Sequence, residues 1–120
     1  MSIKIIALEN CPFSIGAYNL LVPNKNNQHK QINVKWINND DKNKYKTKNS
    51  QTFPQISFIN EEEYFLGGYS ELEDLINNLR NQTEPCKATS LQYFEKIENN
   101  KDKSRALKII LEAVLGKSCK

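Results

Sequence analysis

Apolar residues in this chain fall in short blocks between long polar stretches, and the spacing within each block predicts an element. Ile3 to Leu8 is a β-branched run suited to a buried strand. The polar pair Glu9-Asn10 ends it, and Cys11-Pro12 follows. Proline is favoured at the first position of a helix, where the N–H it lacks has no partner. A helix therefore opens at Pro12 with Cys11 as its N-cap, and Phe13, Ala17, Leu20 and Leu21 supply apolar positions. Pro23 and the polar stretch from Asn24 to Lys30 stop it.

Ile32, Val34 and Trp36 alternate with polar residues and predict a second strand. Asn39 to Ser50 is polar and lysine-rich and reads as a weak helix with loop ends. Gln55 to Ile59 and Glu63 to Leu66 are two further strands, and the turn Asn60-Glu61-Glu62 makes them an antiparallel hairpin. Gly67-Gly68 breaks the last strand. Ser70 with Glu73 has the spacing of a capping box, opening a helix with Leu72, Leu75, Ile76 and Leu79 on one face.

Beyond Pro85 the pattern predicts two more helices. Thr89 with Gln92 forms a second capping-box pattern, followed by Leu91, Phe94 and Ile97 at three-residue steps. Leu107, Ile110, Leu111, Val114 and Leu115 then make one apolar stripe, with Gly116 as a stop. The order is β-α-β-(α)-β-β-α plus two helices, without an internal repeat. A parallel pair joined through a helix, followed by a hairpin, implies an α/β domain with one four-stranded mixed sheet flanked by helices. Residues 1–84 form that domain, and residues 85–120 form a C-terminal helical extension packed on or near it.

Length fits one core, since 120 residues are too few for two. The net charge of +3 is small for a nucleic-acid binder of this size. The cluster Lys42, Lys44, Lys46 and Lys48 around Tyr45 reads as a solvated face, so no nucleic-acid partner is expected. No stretch is long and apolar enough to span a membrane, and Met1 to Leu8 has neither the length nor the cleavage site of a signal peptide. A soluble cytoplasmic protein is expected. Three cysteines, an odd number, do not describe a disulfide framework, and in a reducing compartment all would rest as thiols.

The candidate chemistry centres on Cys11. The reactive form of cysteine is the thiolate, and the unsatisfied N–H groups and dipole of a helix N-terminus favour it. The rival reading is an ordinary buried cysteine. Glu9 is close and negative, and no Lys or Arg lies between Lys4 and Cys11, so the helix terminus does most of the work unless a lysine from 42–48 reaches the site. A second feature is Thr52-Phe53-Pro54-Gln55, directly before a strand. A cis bond there would turn the Phe53 backbone toward a peptide-like ligand, although X–Pro bonds are mostly trans. The third is Gly67-Gly68-Tyr69-Ser70-Glu71, where the N–H groups of a new helix offer an anion site or simply turn the chain from strand to helix.

Taken together, Cys-Pro-Phe-Ser after the first strand, Thr-Phe-Pro-Gln before the third and Gly-Gly-x-Ser-Glu-Leu before the last core helix resemble the glutaredoxin family over roughly residues 3–82. The resemblance implies a thioredoxin-like fold, glutathione as co-substrate and a cis bond at Pro54. It makes Cys11 the nucleophile, supported by Pro12, Phe13, Ser14 and Pro54. Phe13 takes the aromatic place of the family's Cys-Pro-Tyr-Cys motif. Phe53 would offer its backbone to the cysteine moiety of glutathione, and Gly68, Tyr69, Ser70 and Glu71 would surround the γ-glutamyl end. The chain departs from the family in three ways. Ser14 stands where the second cysteine would be, which excludes an internal Cys-x-x-Cys disulfide. Leu8-Glu9-Asn10 replaces the stretch that usually carries a lysine. Glu71 stands where Asp is more usual.

The implied function is monothiol exchange that reduces glutathione mixed disulfides, with Ser14 able to donate a hydrogen bond to the thiolate. Two alternatives remain at this stage: an iron–sulfur cluster held by Cys11 and glutathione between two subunits, or a degenerate adaptor that keeps only the fold. The partners expected are glutathione and glutathionylated or disulfide-bonded proteins. Cys86 is a candidate resolving thiol, Cys119 an incidental one in the tail, and His29 a surface residue. The C-terminal helices offer a surface for a homodimer.

Overall fold

The structure, a computed structural model, describes residues 1–48 and 50–119. Four strands, β1 (Ser2–Leu8), β2 (Ile32–Ile37), β3 (Gln55–Asn60) and β4 (Glu62–Gly67), form one sheet in the order β2-β1-β3-β4. β1 and β2 run parallel through the crossover helix α1 (Pro12–Leu21), whereas β1–β3 and β3–β4 are antiparallel. The central strands are covered on both faces: Ile3, Ile5, Ile6 and Ala7 of β1 are buried, as are the first four residues of β3. This accounts for a near-continuous apolar run in β1 where alternation would mark a half-exposed strand. The edge strand β2 buries only Ile32 and Ile37 at its ends, and its Trp36 lies 41% exposed against Tyr18 of α1.

The polar 39–50 stretch yields one helical turn, α2 (Lys42–Tyr45). Helix α3 (Tyr69–Arg80) buries Leu72, Leu75, Ile76 and Leu79, as the spacing predicts. Its start differs from the expected Ser70–Glu73 box. Gly68 is the N-cap, and the carboxylate of Glu71 accepts a hydrogen bond from the Gly68 N–H at 2.7 Å. The helix begins earlier because Gly67 adopts φ +138°, and a Cβ there would meet Glu71 Cβ at 2.9 Å. Ser70 is then the second helical residue, and Tyr69 Oη donates to Glu73 at 2.6 Å.

Between residues 85 and 98 the structure holds two 3₁₀ turns, Pro85–Lys87 and Gln92–Phe94, in place of the expected helix from Thr89. Steps of three place Leu91, Phe94 and Ile97 on one face of a 3₁₀ path, which completes a turn in three residues. The next helix, α4 (Asn100–Ile110), is capped by Asn99, whose side chain accepts from the Asp102 N–H. It runs on into a π-type turn, Leu111–Leu115, which Gly116 ends in the left-handed conformation at φ +63°. Phe94, Ile97, Leu107, Ile110 and Leu111 are fully buried and share one hydrophobic cluster with Ile3, Ile5 and Leu72. Residues 85–119 thus complete the core of the sheet domain. The architecture is the thioredoxin-like mixed sheet flanked by helices that the motifs imply, with a C-terminal helical extension. No helix among the described residues is long and apolar enough to cross a membrane.

Candidate active site

Strand directions bring the three motifs together. β1 and β4 run one way and β3 the other, so β1 ends, β4 ends and β3 begins at the same end of the sheet. Cys11 follows β1, Phe53-Pro54 precedes β3, and Gly68 follows β4. Two contacts bridge them. The Phe13 and Tyr69 rings lie with centroids 5.9 Å apart, within the range of aromatic pairs. A Cβ added at Gly68 would lie 3.4 Å from the Pro54 carbonyl oxygen. Gly16 lets α1 approach the Tyr69 ring, since a Cβ at that position would sit 2.8 Å from Tyr69 Cε1.

Cys11 is the N-cap of α1, half-buried and a free thiol. The turn before it closes through the Cys11 N–H and the Leu8 carbonyl at 3.2 Å, with Asn10 at φ 64°, a conformation Asn tolerates. No side chain caps α1, and its first turn carries no acidic residue. No side chain therefore takes up the leading N–H groups of this helix. Phe13 is 60% exposed, and Ile15 is also exposed on the first turn of the same helix.

Ser14 is placed differently from expectation. It is fully buried, and its Oγ accepts the Leu8 N–H at 3.0 Å, tying the end of β1 to the first turn of α1. No hydrogen bond among the described residues joins it to Cys11. Among the described residues no ion pair or hydrogen bond links Lys42, Lys44, Lys46 or Lys48 to Cys11, and Lys44 pairs with Asp41 at 3.1 Å.

The Phe53–Pro54 bond is cis, as the motif resemblance implies. Phe53 is half-buried and Pro54 buried, while Ser70 and Glu71 lie exposed at the start of α3. The Gly68 N–H is taken by Glu71, so the donors left at this helix end belong to the following residues. Tyr69 keeps its proton: the hydrogen bond to Glu73, then burial and the Glu73 charge, push its pKa above the ordinary value. Sequence reasoning missed Gln55. Its buried amide donates to the Tyr45 carbonyl at 2.9 Å and the Ser50 carbonyl at 3.0 Å, anchoring the loop that leads to Phe53. A polar residue opening a buried strand was the available signal.

The remaining cysteines correct an expectation. Cys86 and Cys119 form a disulfide with Cα atoms 5.6 Å apart, so Cys86 is not a resolving thiol in this state and Cys119 is not incidental. Cys11 is then the single free cysteine. His29 is also more than a surface residue. Its Nδ1 accepts the Gln31 N–H at 3.0 Å, so Nε2 carries the proton shared with Glu112 at 2.9 Å.

The chain matches no family model, no curated protein and no solved structure.

Proposed function

We propose that this chain is a glutathione-dependent thiol–disulfide oxidoreductase of glutaredoxin type that works by monothiol exchange at Cys11. The supporting observation is the assembly at one sheet end of a free, half-buried thiol at an uncapped helix N-terminus, the Phe53-Pro54 backbone and the first turn of α3.

The Cys11 thiolate attacks the glutathione sulfur of a mixed disulfide. A Cys11–glutathione disulfide forms, the bond to the substrate sulfur breaks, and the departing thiolate takes a proton. A second glutathione thiolate then attacks the glutathione sulfur bound to Cys11. Glutathione disulfide forms and the Cys11 thiolate is released; in sum one glutathione thiol is exchanged for the substrate thiol, the substrate sulfur gaining the electron that the incoming glutathione sulfur loses. The Phe53 backbone would align the cysteine moiety of glutathione, and the N–H groups that open α3 would take its γ-glutamyl carboxylate. Ser14 keeps the β1–α1 junction fixed and supplies no resolving sulfur.

The reading places the protein in the cytoplasm, where the glutathione pool supplies the electrons. There the Cys86–Cys119 pair is set by its own potential against that pool. Reduction of a small glutathione mixed disulfide, with wild type and Cys11→Ser compared, tests the proposal. Loss of turnover to the uncatalysed background is expected in the variant, and equal rates would sink it.

A further inference from the structure

The two edges of the sheet are finished differently. Along β4 the turn at Gln92–Phe94 packs against the strand, and Lys96 Nζ lies 5.0 Å from the Phe65 ring centroid. β2 has β1 on one side and no strand on the other among the described residues. Its middle is open: Asn33, Lys35 and Trp36 are exposed, and Val34 is half-buried. The hydrogen bonds show which backbone groups face outward. The Gln31 and Ile37 carbonyls accept from the Ile3 and Glu9 N–H groups at 2.8 Å each, so the odd-numbered residues of this stretch turn toward β1. Ile32, Val34 and Trp36 turn away. Ile32 is already satisfied, its N–H by the His29 carbonyl at 3.0 Å and its carbonyl by the Gln28 amide at 2.6 Å. The N–H and C=O groups of Val34 and Trp36 are left on the open edge, without a partner among the described residues.

Charge is also unevenly divided. Residues 25–48 carry seven lysines and two aspartates, a balance of +5 in a chain of +3, so the remainder is net acidic. Of the two aspartates, Asp41 is paired with Lys44. Two of the lysines flank the open edge, one on each face of the sheet. Lys35 projects from β2 itself, with Nζ 5.2 Å from the Tyr45 ring centroid. Trp36 points to the opposite face, as successive strand residues do. There its ring meets Tyr18 edge-on at 5.2 Å, and Lys25 Nζ lies 4.4 Å from the Tyr18 centroid. Lysine on an edge strand blocks pairing between identical copies, because the two edges would bring like charges together. The same charge favours an acidic strand. A nucleic acid would use the lysines but has no use for a row of peptide N–H and C=O groups.

We propose that the β2 edge takes up an extended acidic peptide segment as an added strand, and that the segment belongs to the glutathionylated protein on which Cys11 acts. Main-chain pairing to Val34 and Trp36 supplies affinity, and side chains on alternate residues supply specificity. Carboxylates of the segment meet Lys35 on one face and Lys25 on the other, where an apolar side chain covers Trp36. β2 runs parallel to β1, so one end of the added strand lies at the sheet end where Cys11 follows β1. The helical turn that bears Lys42 and Lys44 is held at that end too, since the Gln55 amide that opens β3 donates to the Tyr45 carbonyl at 2.9 Å. The identity of the partner rests on the exchange reaction proposed above, whereas the binding of the peptide does not.

Trp36 is the only tryptophan of the chain, so its fluorescence reads the edge directly. The full-length protein is titrated with two thiol-free peptides, one alternating Glu and Val and one alternating Lys and Val. A third peptide repeats the acidic sequence with every backbone nitrogen methylated, which keeps the charge and removes the N–H donors. The acidic peptide should shift Trp36 emission to shorter wavelength and bind more tightly than the basic one. Methylation should weaken it by about tenfold or more, and Lys35→Glu by about fivefold. If Lys35→Glu fails to fold by circular dichroism, Lys35→Gln replaces it, with the same direction expected. Equal binding of the acidic and basic peptides, or of the methylated and unmethylated ones, overturns the added strand. So does unchanged binding in the folded Lys35 variant. A single-stranded thymidine oligonucleotide that binds the edge more tightly than the acidic peptide assigns it to nucleic acid and overturns the proposal.

Glutathionylated forms of the acidic and basic peptides supply the second arm. Wild type should reduce the acidic one with the higher kcat/KM, and the Lys35 variant should lose that preference while its rate on a small mixed disulfide stays unchanged. If the peptides bind as stated but no mixed disulfide is reduced, the exchange reaction falls and the added strand stands. If the small disulfide is reduced but the peptides bind alike, the added strand falls and the reaction stands. Binding as stated with equal kcat/KM for the two glutathionylated peptides overturns the assignment of the segment to the substrate.

Discussion

At the Cys11 end of the sheet, exposed and half-buried side chains are set in place by the backbone. Phe13 and Ile15 face outward, while Gly67 at φ +138° and the close approaches at Gly16 and Gly68 fix where the elements meet. Residues 85–119 are built the other way. Phe94, Ile97, Leu107, Ile110 and Leu111 are fully buried, and a disulfide and a carboxylate network hold the segment. One region is ordered by conformation and leaves much of its surface exposed. The other is ordered by burial and contributes stability, which divides the effects of substitution between them.

Phe94→Ala should show the largest stability effect, a loss of about 3–5 kcal/mol in chemical denaturation, because a fully buried ring leaves a cavity. Activity per folded molecule should stay at the wild-type value, and a drop would break the division. The double variant Cys86→Ser/Cys119→Ser removes a link across 33 residues, which should cost about 2–4 kcal/mol in the same measurement. Alkylation of its remaining thiol, Cys11, should proceed at the wild-type rate. Gly67→Ala should do the converse. A side chain at that φ costs about 1–3 kcal/mol and pushes against Glu71, so turnover should fall by more than the change in stability explains.

The smallest effect is pH-dependent. Asp102 is buried and accepts hydrogen bonds from Asn60, Asn99 and Arg105, which together hold its carboxyl below the ordinary value of 3.8, the Asn60 bond most strongly. A group with a depressed folded pKa contributes stability above its unfolded value and loses it as pH falls through the folded one. Acid unfolding of wild type should therefore carry a component below about pH 4 that Asp102→Asn lacks. The melting temperature followed from neutral to acid pH for both proteins checks this, and parallel curves would remove Asp102 from the account.

The legible parts of the fold were those where local pattern and tertiary demand agree. The run at Ile3, the Cys11-Pro12 start and the face at Leu72, Leu75, Ile76 and Leu79 each point to one answer. At α3, spacing pointed to Ser70 with Glu73, and the box that forms, Gly68 with Glu71, depends on the backbone of Gly67, which spacing does not encode. Leu91, Phe94 and Ile97 showed a period of three that was read as an approximate helix and is a 3₁₀ path. The pairing of Cys86 with Cys119 needs the C-terminal segment folded back on itself, a tertiary fact with no local signature.

The direction of the strands also says where the chain can change. Every connection that meets Cys11 leaves the sheet at one end, while the β3–β4 hairpin turns at the other, with Glu61 exposed at its tip and at φ 66°. An epitope, a fluorophore or a tether placed at Glu61 would leave on the side away from the thiol, so the protein offers a natural attachment point for holding it on a surface with its Cys11 end free.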